Sequence, residues 1–317
     1  MHPVYDVVVV GGGPAGLSAA AWLGRYRRRA VVLDSDEHRN RWVDRSHGYL
    51  AHDDADPKEL LGSARAQLGA YATIEFRPGR ATGARQEPDG TFVVDTGPEQ
   101  LHARRVVLAP GVVDEYPDVE GFFEHYGASV FHCPTCDGYE ARDCEVVAFG
   151  WSSQVAGFAL TLLEWAASVT VVTDGTRFHG DDTCRRALER HSVDVLEAEA
   201  VEFLGSRGDL RGVRLRTGAV LPCQLAFFSI AHHPRTDLAV QLGCRTTDEG
   251  CVEVDHEGVT SVTGVYAAGD VTPGMQLVQV AASKGTVAGV ACALSLQGEP
   301  PAPGAPAPGP DVEAELT

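Results

Sequence analysis

The chain has 317 residues, 26 basic against 44 acidic, with a formal net charge of −18. That length leaves room for about two domains, and charge of that sign disfavours non-specific binding to nucleic acid or to an anionic membrane. No stretch approaches the roughly 20 apolar residues that span a bilayer, and no basic region followed by a long apolar run opens the chain, so a cytoplasmic location is expected.

In chain order, the first element is Tyr5-Asp6-Val7-Val8-Val9-Val10, a β-branched run suited to a parallel strand buried on both faces. Gly11-Gly12-Gly13-Pro14-Ala15-Gly16 follows at once, then a helix-prone stretch over residues 17–27. A second strand, Ala30-Val31-Val32-Leu33, ends at Asp34 and Ser35. The glycines form a complete GxGxxG between strand and helix. Gly11 permits the tight turn, Gly13 lets backbone approach a pyrophosphate, and Gly16 lets the helix pack on the strand. The helix N-terminus attracts phosphate, and Asp34, about 20 residues further on, is placed to accept a hydrogen bond from a ribose hydroxyl. This turn alone does not distinguish FAD from NAD.

Of the 8 cysteines, only Cys133 and Cys136 are closely spaced, in His132-Cys133-Pro134-Thr135-Cys136-Asp137-Gly138. Two thiols at this spacing interconvert with a disulfide at little strain, and the thiolate is the reactive form. Asp137 adjoins the second sulfur and could shuttle a proton to a departing thiol. Zinc would need four ligands; there is no second CxxC, only Cys144 and His132 to complete a set, and no metal is expected.

The strand–turn–helix rhythm then recurs. Residues 145–149 read as a strand, 155–165 as a helix and 168–173 as a strand ending in Asp174, so two Rossmann-type halves stand roughly 140 residues apart. The second turn reads Gly150-Trp151-Ser152-Ser153-Gln154-Val155. Only its first glycine fits the dinucleotide pattern, and each change works against close backbone approach to a pyrophosphate. A further strand segment, residues 263–270, ends in Gly269-Asp270. From Gln297 onward the chain is rich in Pro, Ala and Gly and is expected to be disordered.

Together these motifs resemble the flavoprotein family with two dinucleotide-binding domains. Gly269-Asp270 is similar to that family's FAD-ribityl motif, Leu108-Ala109-Pro110-Gly111 to the segment that closes its FAD domain, and Gln279 with Ser283-Lys284-Gly285 to the helix that meets the flavin ring. The Cys-x-x-Cys-Asp-Gly run resembles that of low-molecular-weight thioredoxin reductases, a likeness extending from about Tyr5 to about Leu296. It implies that Cys136 faces the flavin and Cys133 exchanges with substrate. In those reductases the strand after the second turn ends in an arginine pair that grips the NADPH 2′-phosphate; here it ends Thr173-Asp174-Gly175, which would repel a 2′-phosphate and at most suit a free hydroxyl. A branch that dispenses with NADPH, the FAD-dependent dithiol oxidases of gliotoxin-, holomycin- and romidepsin-type metabolites, shares the Cys133-Pro134-Thr135-Cys136-Asp137-Gly138-Tyr139-Glu140 and Ser46-His47-Gly48-Tyr49-Leu50 runs. Several of its members have His after the second Cys where this chain has Asp137. The likeness implies that His47 lies near the flavin.

The expected fold is therefore a two-domain α/β flavoprotein with an FAD-binding domain over residues 1–114 and 237–297 and an inserted CxxC domain over residues 115–236. The expected cofactor residues are Gly11, Gly13, Pro14, Ala15, Gly16, Asp34, Ser35, His47, Ala109, Gly111, Gly269, Asp270 and Gln279, with Cys133, Cys136 and Asp137 catalytic. The expected reaction closes a disulfide in a small dithiol, with dioxygen as acceptor and hydrogen peroxide as product. The likeness also implies a homodimer. An NAD(P)H- or ferredoxin-fed reductase of thioredoxin or a small disulfide is the second reading. A non-catalytic flavin-binding redox sensor is the third, and the intact CxxC argues against it.

Overall fold

In the computed structural model, residues 4–299 and 302 are described. They divide into two units: the described parts of Met1–Arg39, Lys58–Val113 and His233–Thr317 in one, and Asn40–Pro57 with Asp114–His232 in the other. Asn40–Pro57, placed with the FAD-binding half by the sequence reading, thus groups with the CxxC unit.

In the first unit, strands β1 (Val4–Val10), β2 (Ala30–Asp34), β3 (Ile74–Pro78), β4 (Gly83–Gln86), β5 (Phe92–Asp95) and β6 (Gln100–Leu108) join in the order β3-β2-β1-β6-β5-β4. The first four are parallel, and β4 and β5 run antiparallel beside the start of β6. The strand Val265–Ala267 pairs in parallel with the end of β6, completing a seven-stranded sheet. Alternation along β1 supplies both faces: Val7 and Val9 enter the core beneath helix α1 (Pro14–Arg25), while Val8 and Val10 enter the opposite core with Phe92 and Val94.

Helix α1 starts at Pro14, earlier than residues 17–27 suggest, because proline presets the φ of a first helical turn. It ends by Arg25, since Arg27 has φ 58°, outside the right-handed region. Helix α2 (Pro57–Leu68) and the final helix Val278–Leu294 complete the helical layer. Gly285 and Gly289 bring that last helix onto α1: a Cβ on Gly285 would stand 2.0 Å from Ala15 O, and one on Gly289 would stand 2.7 Å from Ala19 Cα. The stretch beyond Gln297 includes Glu299, whose carboxylate pairs with Arg104 and, at 2.7 Å, with Arg105. Residues 300, 301 and 303–317 of the expected tail lie outside the described residues.

The second unit repeats the strand–helix rhythm. Its parallel five-stranded sheet runs in the order Asp194–Leu196, Ser168–Val172, Glu145–Phe149, Leu225–Phe228, Val130–Phe131. A three-stranded antiparallel sheet, Ala200–Ser206, Asp209–Leu215 and Val220–Leu221, accompanies it. The helix expected over 155–165 spans Gln154–Leu162, and the following strand stops at Val172. No helix among the described residues is long and apolar enough to cross a membrane.

Candidate functional site

The carboxyl ends of β1, β2, β6 and Val265–Ala267 converge on one edge of the first unit, where open α/β sheets take their ligands. Ala109 N donates to Val10 O at 2.8 Å and Ala268 N to Leu108 O at 2.9 Å, tying the three loop starts together. Gly11 has φ 110°, and a Cβ there would stand 2.1 Å from Ala109 O. A Cβ on Gly16 would stand 1.8 Å from Gly11 O, so both glycines are required by close backbone approach. Gly13 differs: the nearest atom to a Cβ there is His38 Nδ1 at 3.9 Å, leaving open space in front of the helix. Gly13 caps α1 with no side-chain hydrogen bond, so the first-turn N–H groups, Ala15 and Gly16 among them, are left for an anion.

Asp34 lies against this turn, its Oδ2 2.2 Å from where a Gly12 Cβ would be. Its Oδ1 accepts Asp36 N at 2.9 Å, and Arg65 of α2 pairs with Oδ2. Arg65 Nε is buried with no hydrogen-bond partner, an orphan donor beside the nucleotide turn. Ser35 follows on the same strand end. Gly111, φ 71°, has nothing within 4 Å of its Cβ position, and Arg235 N donates to its carbonyl at 3.0 Å. Gly269, φ 82°, sits over Ala15, with 2.8 Å from its Cβ position to Ala15 Cβ. Asp270 is held 3.6 Å from Arg39 Nη1, which also donates to Gln276 Oε1 at 2.6 Å. Lys284 Nζ donates to Pro273 O at 2.8 Å and props the same loop. Gln279 stands exposed in the first turn of the final helix. An uncapped helix start, an unfilled cradle at Gly13 and an acid at each of two strand ends fit an adenine dinucleotide. Sequence reasoning gave no role to Arg65 or Arg39, because each acts from an element remote in sequence from its partner.

The cysteine pair lies in the second unit. Cys133 and Cys136 form a disulfide with S–S 2.03 Å. Cys133 caps the one-turn helix Pro134–Asp137, its Sγ accepting Cys136 N at 3.1 Å. Gly138 is confined between Pro134 O and the Trp165 ring, which a Cβ would meet at 2.4 and 2.5 Å. Asp137 is 5% exposed. Burial, then the neighbouring Glu140 charge, pushes its carboxyl up to about 7.

His47 belongs to this unit as well. Arg207 pins its segment, donating to Trp42 O at 3.0 Å and Tyr126 O at 3.2 Å and pairing with the Asp44 carboxylate. The pinned segment carries His47 Nε2 to 4.0 Å from Glu140 Oε2. Two further candidate histidines, His132 and His125, are built into the fold. His132 Nδ1 lies 3.1 Å from Tyr126 OH, and the buried His125 pairs through Nδ1 with Ser129 Oγ at 3.0 Å. Glu140, present in the sequence run but given no role there, is the residue that touches both His47 and the field of Asp137.

The second turn differs from the first in its bonding and packing. Trp151 O accepts His179 N at 2.8 Å, drawing residues 176–180 to the turn. Val155 is fully buried where a small residue would allow close packing, and Ser152 Oγ is buried without a partner. Asp174, at φ 51°, turns its carboxylate onto Ala200 N at 3.0 Å. One of its carboxylate oxygens is thereby engaged by backbone.

Residues 5–285 match the family model described as pyridine nucleotide-disulphide oxidoreductase. The chain belongs to that family. Among its relatives within the pyridine nucleotide-disulphide oxidoreductases are thioredoxin reductase sirT of Leptosphaeria maculans, 30% identical over 90% of this chain and 92% of that protein, and thioredoxin reductase of Treponema pallidum, 31% identical over 92% and 97%. Among solved structures, that of HlmI superposes with TM-score 0.87 at 35% identity, covering 92% of each chain. An oxidoreductase from Agrobacterium tumefaciens superposes with TM-score 0.82 at 33% identity over 92% and 98%. The thioredoxin reductase-like fold and the FAD cofactor follow from this membership.

Proposed function

We propose that this oxidoreductase is an FAD-dependent dithiol oxidase that closes a disulfide in a small molecule. One observation carries the reading: the second dinucleotide turn keeps only its first glycine, has Val155 fully buried in place of a small residue, and has Asp174 bonded to Ala200 N, while the first turn and the cysteine pair are complete. Without a nicotinamide site, electrons enter from the thiol side and leave to another acceptor. The α1 N-terminus and Gly13 would receive the pyrophosphate, Asp34 the adenosine ribose and Asp270 the ribityl chain, with Ala109 and Gly111 lining the turn.

In the proposed sequence, the Asp137 carboxylate takes a proton from one substrate thiol. The resulting thiolate attacks Cys133 Sγ, a substrate–Cys133 disulfide forms, and the Cys133–Cys136 bond breaks with Cys136 leaving as thiolate. The second substrate thiol loses its proton to solvent and attacks the substrate sulfur of the mixed disulfide, so that the substrate–Cys133 bond breaks and Cys133 leaves as thiolate. The product disulfide departs, and the cysteine pair is left reduced by two electrons. The chemistry that bound FAD supplies is acceptance of that electron pair and its delivery to dioxygen, with hydrogen peroxide as product. The family likeness supports a homodimer, and a cytoplasmic location is part of the proposal.

The names of several relatives favour a second reading, an NAD(P)H-dependent thioredoxin reductase. Anaerobic addition of NADPH, NADH or dithiothreitol to the flavoprotein separates the two. Bleaching of the flavin by dithiothreitol alone, with peroxide formed on admitting air, is expected. Rapid bleaching by either nicotinamide would put the reductase first.

A further inference from the structure

We infer that Lys284 is a positioning residue of the FAD site, its ammonium fixing the turn that carries Asp270. The inference rests on the reading of Asp270 as the acid for the ribityl chain and is independent of the thiol chemistry above. Strand Val265–Ala267 leads into a tight turn, in which Gly269 O accepts Thr272 N at 3.0 Å and Thr272 Oγ1 at 2.7 Å. Asp270 and Val271 are the central residues of that turn, and Val271 and Thr272 are buried. Lys284, in the second turn of the final helix Val278–Leu294, reaches back to it. Its Nζ donates to Pro273 O at 2.8 Å, to Thr272 O at 3.3 Å and to Gly269 O at 3.5 Å. Carbonyls on both sides of Asp270 in the chain are thus held by one cation.

Three carbonyls converging on one point suit an ammonium, which carries three donors on a single atom, better than the planar fork of a guanidinium. The chain otherwise relies on arginine: of its 26 basic residues only Lys58 and Lys284 are lysines. The Asp270 carboxylate is restrained separately, by Arg39 Nη1 at 3.6 Å. Lys284 therefore sets the backbone of the acid and Arg39 its side chain. The residue after Lys284, Gly285, packs on Ala15 in the first turn of α1, and Gly269 sits against the same alanine. One turn of the final helix thereby joins the Asp270 turn and the start of α1 in a single frame. Removing the ammonium takes a charge-assisted donor from all three carbonyls and releases the Asp270 turn from that frame.

The test is the FAD affinity of the holoprotein, read from the fluorescence of flavin released on serial dilution, with the visible circular dichroism of bound flavin as a second readout. Lys284→Met is expected to weaken FAD binding about tenfold or more and to change the visible dichroism. Lys284→Arg, which keeps the cation but not the ammonium geometry, is expected to lie between. Lys58→Met removes the same charge from an exposed position on α2 and is expected to leave the affinity unchanged. Asp270→Asn is expected to weaken binding by itself. Adding Lys284→Met to it should then cost less than Lys284→Met costs the parent, because both changes act on one acid. Thermal unfolding identifies a Lys284→Met protein that fails to fold, and Lys284→Arg then carries the comparison. Parent affinity in Lys284→Met, an equal loss in Lys58→Met, or full additivity with Asp270→Asn overturns the inference. Parent affinity in Asp270→Asn overturns the reading of Asp270 and the inference with it. The oxidase reading is tested apart from both, by dithiothreitol bleaching of the parent protein.

Discussion

Asp137 stands next to a cysteine in the chain, so its proximity to sulfur is legible in sequence; its burial is not. Raised to about 7 from the 3.8 of an ordinary aspartate, it is protonated more readily in the folded protein than in the unfolded chain. Its contribution to stability is thus fully present below about pH 4 and is lost as pH rises through about 7. At pH 8 the cost of keeping that charge buried is on the order of 4 kcal/mol. Asp137→Asn is expected to raise Tm at pH 8, to lose most of that gain by pH 4, and to slow reduction by dithiol, as thermal unfolding at several pH values and anaerobic bleaching would show. A Tm gain equal at both pH values would mean that the Asp137 pKa is unshifted. Asp174 makes the opposite point. As a letter at a strand end it reads as an acid for a ribose hydroxyl, but its positive φ and its bond to Ala200 N turn it inward.

Helices α1 and Val278–Leu294 are both helix-prone in sequence, and both exist. What their sequences do not disclose is how closely they cross. Gly285 has no room for a Cβ because the Ala15 carbonyl already occupies it, and Ala15 lies in the first turn of α1, a candidate FAD residue. Gly285→Ala is therefore expected to push the start of α1 aside and to lower the flavin retained per chain, with Tm falling as well. Gly62, in α2, has nothing within 4 Å of its Cβ position. There the same substitution removes backbone freedom from the unfolded state and is expected to stabilise by about 1 kcal/mol with full flavin content. Equal effects at the two sites would show that the close crossing does not set the FAD site. The second turn was also partly legible: the missing glycines announce a poor pyrophosphate site, whereas the approach of His179 to Trp151 comes from a loop the motif does not include.

The candidate FAD residues other than His47 lie in the first unit, in segments drawn from both ends of the chain, and the cysteine pair lies in the second. Cofactor binding and disulfide exchange are thereby separable by mutation. Cys136→Ser is expected to keep its full complement of FAD, measured by absorbance per chain, and to lose bleaching by dithiothreitol. Loss of the flavin would contradict that separation, and undiminished bleaching would remove the cysteine pair from the electron path. The sequence by itself determined what depends on neighbours in the chain: the β-branched strands, the glycine turn before α1, the CxxC with its aspartate, and the failure of the second glycine pattern. Each is a local steric or covalent constraint. Only the tertiary structure decided which charges meet. Arg65 on Asp34, Arg39 near Asp270, and His47 beside Glu140 are encounters between segments far apart in sequence. Burial and electrostatic fields depend on distances in space that no short window of sequence encodes.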